Sequence, residues 1–145
     1  MTSATRPRWP SALLLVAAGG ALGGPARYGV DQLVATHADE IPWGTITANL
    51  IGAGLLGLLL SLLGRGSPSR VRSAPASASA LLVLGTGFLG AFTTLSTYLL
   101  QVLTLVGQRS PLLALVYLMG SAAGGVAAAW CGLRLGAELE SRSSR

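Results

Sequence analysis

The residues able to do chemistry in this chain are few, and most lie inside apolar runs. Asn49 sits in the middle of Gly44-Thr45-Ile46-Thr47-Ala48-Asn49-Leu50-Ile51-Gly52, with Thr45 one helical turn away on the same face. A carboxamide offers donors and an acceptor. Asn49 therefore suits either an interhelical hydrogen bond or contact with an anion, and spacing leaves both open. The densest polar group is Gly85-Thr86-Gly87-Phe88-Leu89-Gly90-Ala91-Phe92-Thr93-Thr94-Leu95-Ser96-Thr97-Tyr98, with three glycines and five Ser/Thr hydroxyls. Each glycine costs a helix ~1 kcal/mol relative to alanine, and hydroxyls can satisfy backbone groups freed by a break. A break is predicted near Gly90 to Thr94. It would bare carbonyl oxygens, which suit a hard cation such as Na⁺, and would leave amides and hydroxyls able to face an anion. A hydroxyl-rich kink without a ligand is the alternative. Arg27 lies ~22 Å along the first helix if that helix starts near Ala12. There it would snorkel at the outer interface or act as an electrostatic lure for anions at a vestibule. A disulfide framework, a multi-cysteine metal site and a histidine-based catalytic cluster are excluded within one chain, because Cys131 and His37 are each the only residue of their type.

Four apolar stretches must position these groups: about 12–34, 44–63, 80–106 and 111–135, with a polar tail at 136–145. Each reaches the ~20 residues that a membrane-crossing helix needs. The chain has 145 residues, which suits one domain; 51% are hydrophobic, only 10% are charged, and mean hydropathy is +0.62. A soluble protein carries ~25% charged residues, and disorder would need far less apolar content. The net charge of +5 comes from ten arginines and no lysine. In a soluble chain that would suggest nucleic acid. Here the arginines fall between apolar runs, so membrane lipid is the partner and nucleic acid is not. Arg6, Arg8 and the apolar residues after Ser11 imitate a secretory signal peptide, but three further spans mark an integral membrane protein. Trp9 and Trp43 flank spans as interface anchors. Small residues spaced by four, at Gly19 and Gly23, Gly20 and Gly24, and Gly120 and Gly124, let helix backbones approach closely in lipid. So small a bundle has little interior, and a substrate path would form between two chains.

Four spans put both termini and the middle loop on one side. That side carries Arg6, Arg8, Arg65, Arg70, Arg72, Arg142 and Arg145, whereas the outer loops carry Arg109 with Asp39 and Glu40. The positive-inside rule then gives cytoplasmic termini in a plasma membrane. Arg134, late in the fourth span, marks its cytoplasmic end.

Taken together, Gly19-Gly20-Ala21-Leu22-Gly23 leading to Arg27, Gly44-Thr45 leading to Asn49 and Gly52, and Gly90 to Tyr98 resemble the Fluc-type fluoride channels, or CrcB family, of prokaryotes. The third piece is the specific one, against a family pattern of roughly Gly-Gly-x-Thr-Thr-Phe-Ser-Thr-Phe. The resemblance implies an all-α membrane protein of four spans with its third helix broken mid-membrane. It implies two chains paired in antiparallel, dual-topology orientation around two narrow pores. It also implies a structural Na⁺ at the dimer centre, held by the backbone carbonyls of Gly90 and Thr93. By the same resemblance, Asn49, Leu95, Ser96, Thr97 and Tyr98 fall on the fluoride path and Arg27 on the vestibule. The implied task is passive export of cytoplasmic F⁻, with no enzymatic step.

Several positions depart from the pattern. Leu95 has no ring edge where the family has a phenylalanine, Tyr98 adds a hydroxyl to the second ring, Ala91 replaces a glycine and Gln101 stands where glutamate is common. Seven loop arginines against one would fix a single insertion direction. The expected partner is thus an oppositely oriented homologue, with a second copy of the chain as the alternative. Two other functions compete. A non-conducting structural or regulatory partner subunit would explain the altered ring positions. A small proton-coupled multidrug transporter would need a carboxylate inside the membrane, and Asp31 is the one acid near a span.

Overall fold

The computed structural model describes residues 9–34, 41–64, 75–108 and 110–143. The loop charges behind the orientation argument, Arg6, Arg8, Asp39, Glu40, Arg65, Arg70, Arg72, Arg109 and Arg145, lie outside the described residues, as do His37 and the Trp9 side chain. The described residues are almost all helical, with no strand among them. Helix α1 spans Trp9–Leu33 and α2 spans Trp43–Gly64. The third apolar run is composite: α3 (Pro75–Ala80), a π-helical stretch (Leu81–Leu89), α4 (Gly90–Phe92) and α5 (Ser96–Gly107). The last helix, α6, spans Pro111–Ser143.

Among the described residues three stretches are long and apolar enough to cross a membrane: Trp43–Leu63, Ser77–Gly107 and Pro111–Arg142. Helix α1 has 25 residues, about 37 Å at helical rise, but its glycines, Arg27 and Asp31 dilute its apolar character. Helix α6 has 33 residues, about 50 Å. It continues as helix through Gly136 to Ser143, the segment read from sequence as a polar tail. Only 17, 17 and 11% of the most apolar windows of the three stretches are covered by the rest of the chain. Their side chains look outward, as a lipid-facing or partner-facing surface must.

Two helix pairs build the bundle. Helix α1 lies along the π-helical stretch, and α2 lies along α6. Backbones touch in both pairs because glycines remove the intervening side chains. A Cβ on Gly19 or Gly23 would overlap the carbonyl of Val83 or Phe88, and one on Gly57 or Gly132 would overlap the carbonyl of Ala129 or Gly54. The glycine spacings divide accordingly. Gly19 and Gly23 pack, whereas a methyl carbon added at Gly24 or Gly120 would meet nothing within 4 Å, and one at Gly124 would meet only the Leu50 side chain. Gly57 of α2 meets Ala129 of α6, Gly132 meets Gly54, and Gly136 meets Ser61. The buried cluster of Tyr98, Leu105, Ala114 and Tyr117 ties α5 to α6, with Ile46 of α2 packed against it.

Candidate functional site

The helix that follows the π-helical stretch ends at Phe92. Thr93 takes an extended conformation (φ −90°, ψ 162°), and helix resumes at Ser96. The interruption thus occupies Thr93 to Leu95, slightly later than the Gly90 to Thr94 window expected from composition, and Gly90 itself is helical. Both the amide and the hydroxyl of Thr93 donate to the Leu89 carbonyl, at 3.0 and 2.9 Å. One residue on, the chain is gripped from α2. The Thr94 amide donates to Asn49 Oδ1 at 2.9 Å, and Asn49 Nδ2 donates to the Thr94 carbonyl at 3.0 Å. Since a backbone amide can only donate, this pairing fixes which end of the carboxamide is which. One N–H of Asn49 remains for another acceptor.

This clamp has a consequence for two carbonyls. In an unbroken helix the Thr94 amide would close on Gly90 O and the Thr97 amide on Thr93 O. Instead the first donates to Asn49 and the second to Thr94 Oγ1, at 3.3 Å. Gly90 O and Thr93 O therefore lose their helical partners, and these are the oxygens expected for a cation. No group of three or more His, Cys, Asp or Glu side chains that could hold a metal occurs among the described residues. Gly52 makes room for the turn, because a Cβ there would overlap Thr93 Cγ2.

A groove of about 570 Å³ runs along this surface. Asn49, Gly90, Thr93, Leu95 and Tyr98 all line it, together with Thr94, so the fold gathers five of the residues singled out from sequence. Leu95 is 69% exposed, an apolar side chain held outward. Ser96 and Thr97 are not among the lining residues. Their hydroxyls each lie 3.3 Å from Thr94 Oγ1 and form a small cluster at the start of α5. The opposite wall is α6, where Ser121 joins Ala122 and Gly125. Sequence reasoning passed over Ser121, since a single hydroxyl in an apolar helix carries almost no signal alone.

The Tyr98 hydroxyl does not face the groove as a donor, because it donates to the Leu118 carbonyl of α6. Its ring packs on Tyr117 at 5.1 Å between centroids, tilted by 57°. Tyr117 in turn donates to Gln101 at 2.8 Å. Arg27 lies in a second polar group and does not line the groove. Its Nη2 donates to Thr45 Oγ1 at 3.2 Å, and its Nε lies 3.4 Å from Asp31 Oδ2. Polar contacts thus join α1 to α2 through Arg27 and Thr45, and α5 to α6 through Gln101, Tyr98 and Tyr117. The other arginine read from sequence, Arg134, stacks over Trp130 at 4.9 Å.

Comparison with known proteins places these features in context. The family model described as CrcB-like protein, Camphor Resistance (CrcB), matches residues 14–133. The chain is 37% identical over 124 residues to the fluoride-specific ion channel FluC 1 of Ligilactobacillus salivarius, covering 86% of this chain and 98% of that one. It is 42% identical over 126 residues to the fluoride-specific ion channel FluC of Phenylobacterium zucineum, covering 86 and 94%. It is 40% identical over 127 residues to the fluoride-specific ion channel FluC 1 of Frankia casuarinae, covering 87 and 93%.

Proposed function

The chain belongs to the CrcB family, and from that premise we propose that it is a multi-pass subunit of a fluoride channel that lets cytoplasmic F⁻ leave down its gradient. Support from the chain itself lies in the interruption at Thr93 to Leu95, held open by the two Asn49 hydrogen bonds on the wall of the groove. Fluoride gives up water only where hydrogen bonds replace it, so a pore for it needs donors and a narrow, dry wall. The remaining N–H of Asn49 is one donor. The Thr97 hydroxyl, which accepts from Thr94 and keeps its own proton, is another beside the groove, and the positive edge of the Tyr98 ring is a further anion contact. Ser121 faces them across the groove. No bond is made or broken, so conduction needs no catalyst.

Four spans, with α1 as the first, would leave the groove at the mid-depth of a bilayer. A groove open along the surface becomes a path once a second chain covers it, and an antiparallel pair would close two. Gly90 O and Thr93 O fit a structural Na⁺ at the centre of such a pair, because the fold diverts the amides that would otherwise bond them. Bound there, the ion would supply fixed positive charge that lowers the energy of an anion between low-dielectric walls. The partner is an oppositely oriented homologue, favoured by the loop arginines, or a second copy of this chain. The membrane is the plasma membrane, with cytoplasmic termini.

Reconstitution tests this directly. Liposomes loaded with F⁻ and carrying the purified chain, alone or with an oppositely oriented homologue, should release it when valinomycin balances the charge. Asn49→Asp should abolish release, since a carboxylate at the anion path repels F⁻ and cannot donate to the Thr94 carbonyl. Absence of release in both preparations would overturn the proposal and leave a non-conducting subunit, the role that Leu95 would favour.

A further inference from the structure

Among the described residues of the spanning helices, Arg27 is a cation that the fold encloses, and it is not free. Its side chain is 13% exposed, and its neighbour Asp31, one turn later on α1, is 41% exposed with Oδ2 3.4 Å from Arg27 Nε. The far side of the guanidinium is anchored, since Nη2 donates to Thr45, a residue 2% exposed. Nη1 is buried and has no hydrogen-bond partner. The carboxylate is also seated. Gly44, beside the start of α2, leaves room for it, and a Cβ there would lie 2.8 Å from Asp31 Oδ1. A helix N-terminus favours negative charge at that position.

These facts describe a cation with one occupied and one vacant hydrogen-bonding edge, neutralised by an anion on its own helix. We propose that Asp31 is a tethered competitor for Arg27 and sets how readily a small monovalent anion is admitted to the channel. This rests on the fluoride-channel function proposed above for the ligand, though not for the geometry. A lone, largely buried guanidinium attracts anions over a long range because the surroundings screen it weakly. A carboxylate 3.4 Å away reduces the pair to a dipole, whose field decays faster with distance. An arriving anion must then share the guanidinium or displace the carboxylate toward water. Displacement is feasible because Asp31 is half-exposed, while Thr45 holds Arg27 in place. The resident carboxylate therefore raises the concentration at which the site fills and hastens the anion's departure.

The test uses the full chain in detergent, with thermal unfolding followed in NaF against sodium gluconate at equal ionic strength, and F⁻ efflux measured from liposomes in parallel. Asp31→Asn should lower the half-saturating F⁻ concentration for stabilisation about tenfold, the scale expected when a charged competitor is removed from a weakly screened cation. In an Arg27→Gln background the same change should produce no shift. Asp31 is itself half-exposed and Arg27 keeps its bond to Thr45 without it, so the variant should remain folded; if it does not, Asp31→Ser carries the same readout. An unchanged half-saturation, or a shift that persists without Arg27, overturns the proposal. A shift in binding with no efflux from any preparation upholds Asp31 as competitor and rejects the channel function.

Discussion

Asn49 shows how one side chain can be both a structural clamp and a candidate ligand. Its two bonds to Thr94 replace helical bonds that the break removes, so the cost of the break is offset locally. Buried polar groups left unpaired cost about 1–3 kcal/mol each, which is why a carboxamide, able to donate and accept together, suits this position. Tyr98 divides differently. Its ring lines the groove while its hydroxyl is tied to Leu118 on α6. Tyr98→Phe should keep the ring and leave F⁻ efflux within a factor of about two, yet lower stability by about 1 kcal/mol through the lost hydrogen bond, read as a fall in unfolding temperature. A large loss of efflux would instead place the hydroxyl in the conduction path.

At the scale of elements, the composite third run is built from two departures from the α-helix. The π-helical stretch ends with the Gly90 amide donating to Gly85 O and Gly87 O, and π segments of this kind are rare outside strained or functional places. Helix α1 packs along it through Gly19 and Gly23, which carry no side chain to hold the backbones apart. The break itself depends on space in α2. Gly52→Val would force its side chain into Thr93, and overpacking of this kind costs about 1–3 kcal/mol. We expect Gly52→Val to lower the unfolding temperature and to abolish efflux, whereas Gly107→Ala, with nothing within 4 Å of the added carbon, should change neither.

For the whole molecule the question is what covers the groove and the apolar surface around it. Leu95, Val126 and neighbouring residues of α6 stay exposed within one chain, and Gly125 on the far wall has nothing within 4 Å. Gly125→Trp would fill the groove without disturbing this chain's own packing. It should leave the monomer folded, weaken pairing at least tenfold in a dilution experiment in lipid, and remove efflux. Unaltered pairing would show that the second chain docks elsewhere. The same reconstitution separates the two partner choices: robust efflux from this chain alone would reject the obligate heterologous pair.

Much of this protein was legible in its order of residues. Apolar runs of membrane length and a glycine- and hydroxyl-rich stretch unsuited to a plain helix follow from composition and spacing, because transfer energies and backbone propensities are local properties, whereas Gly90 and Thr93 are singled out only through the resemblance to the CrcB family. The pairing of residues far apart in the chain does not follow from spacing. Nothing in the spacing says that Asn49 would exchange two hydrogen bonds with Thr94, that the Tyr98 hydroxyl would turn to Leu118, that Ser121 would face the break, or that Asp31 would neutralise Arg27 against Gly44. Those are settled by which helices touch, and that depends on where glycines let backbones meet, a property of two surfaces at once.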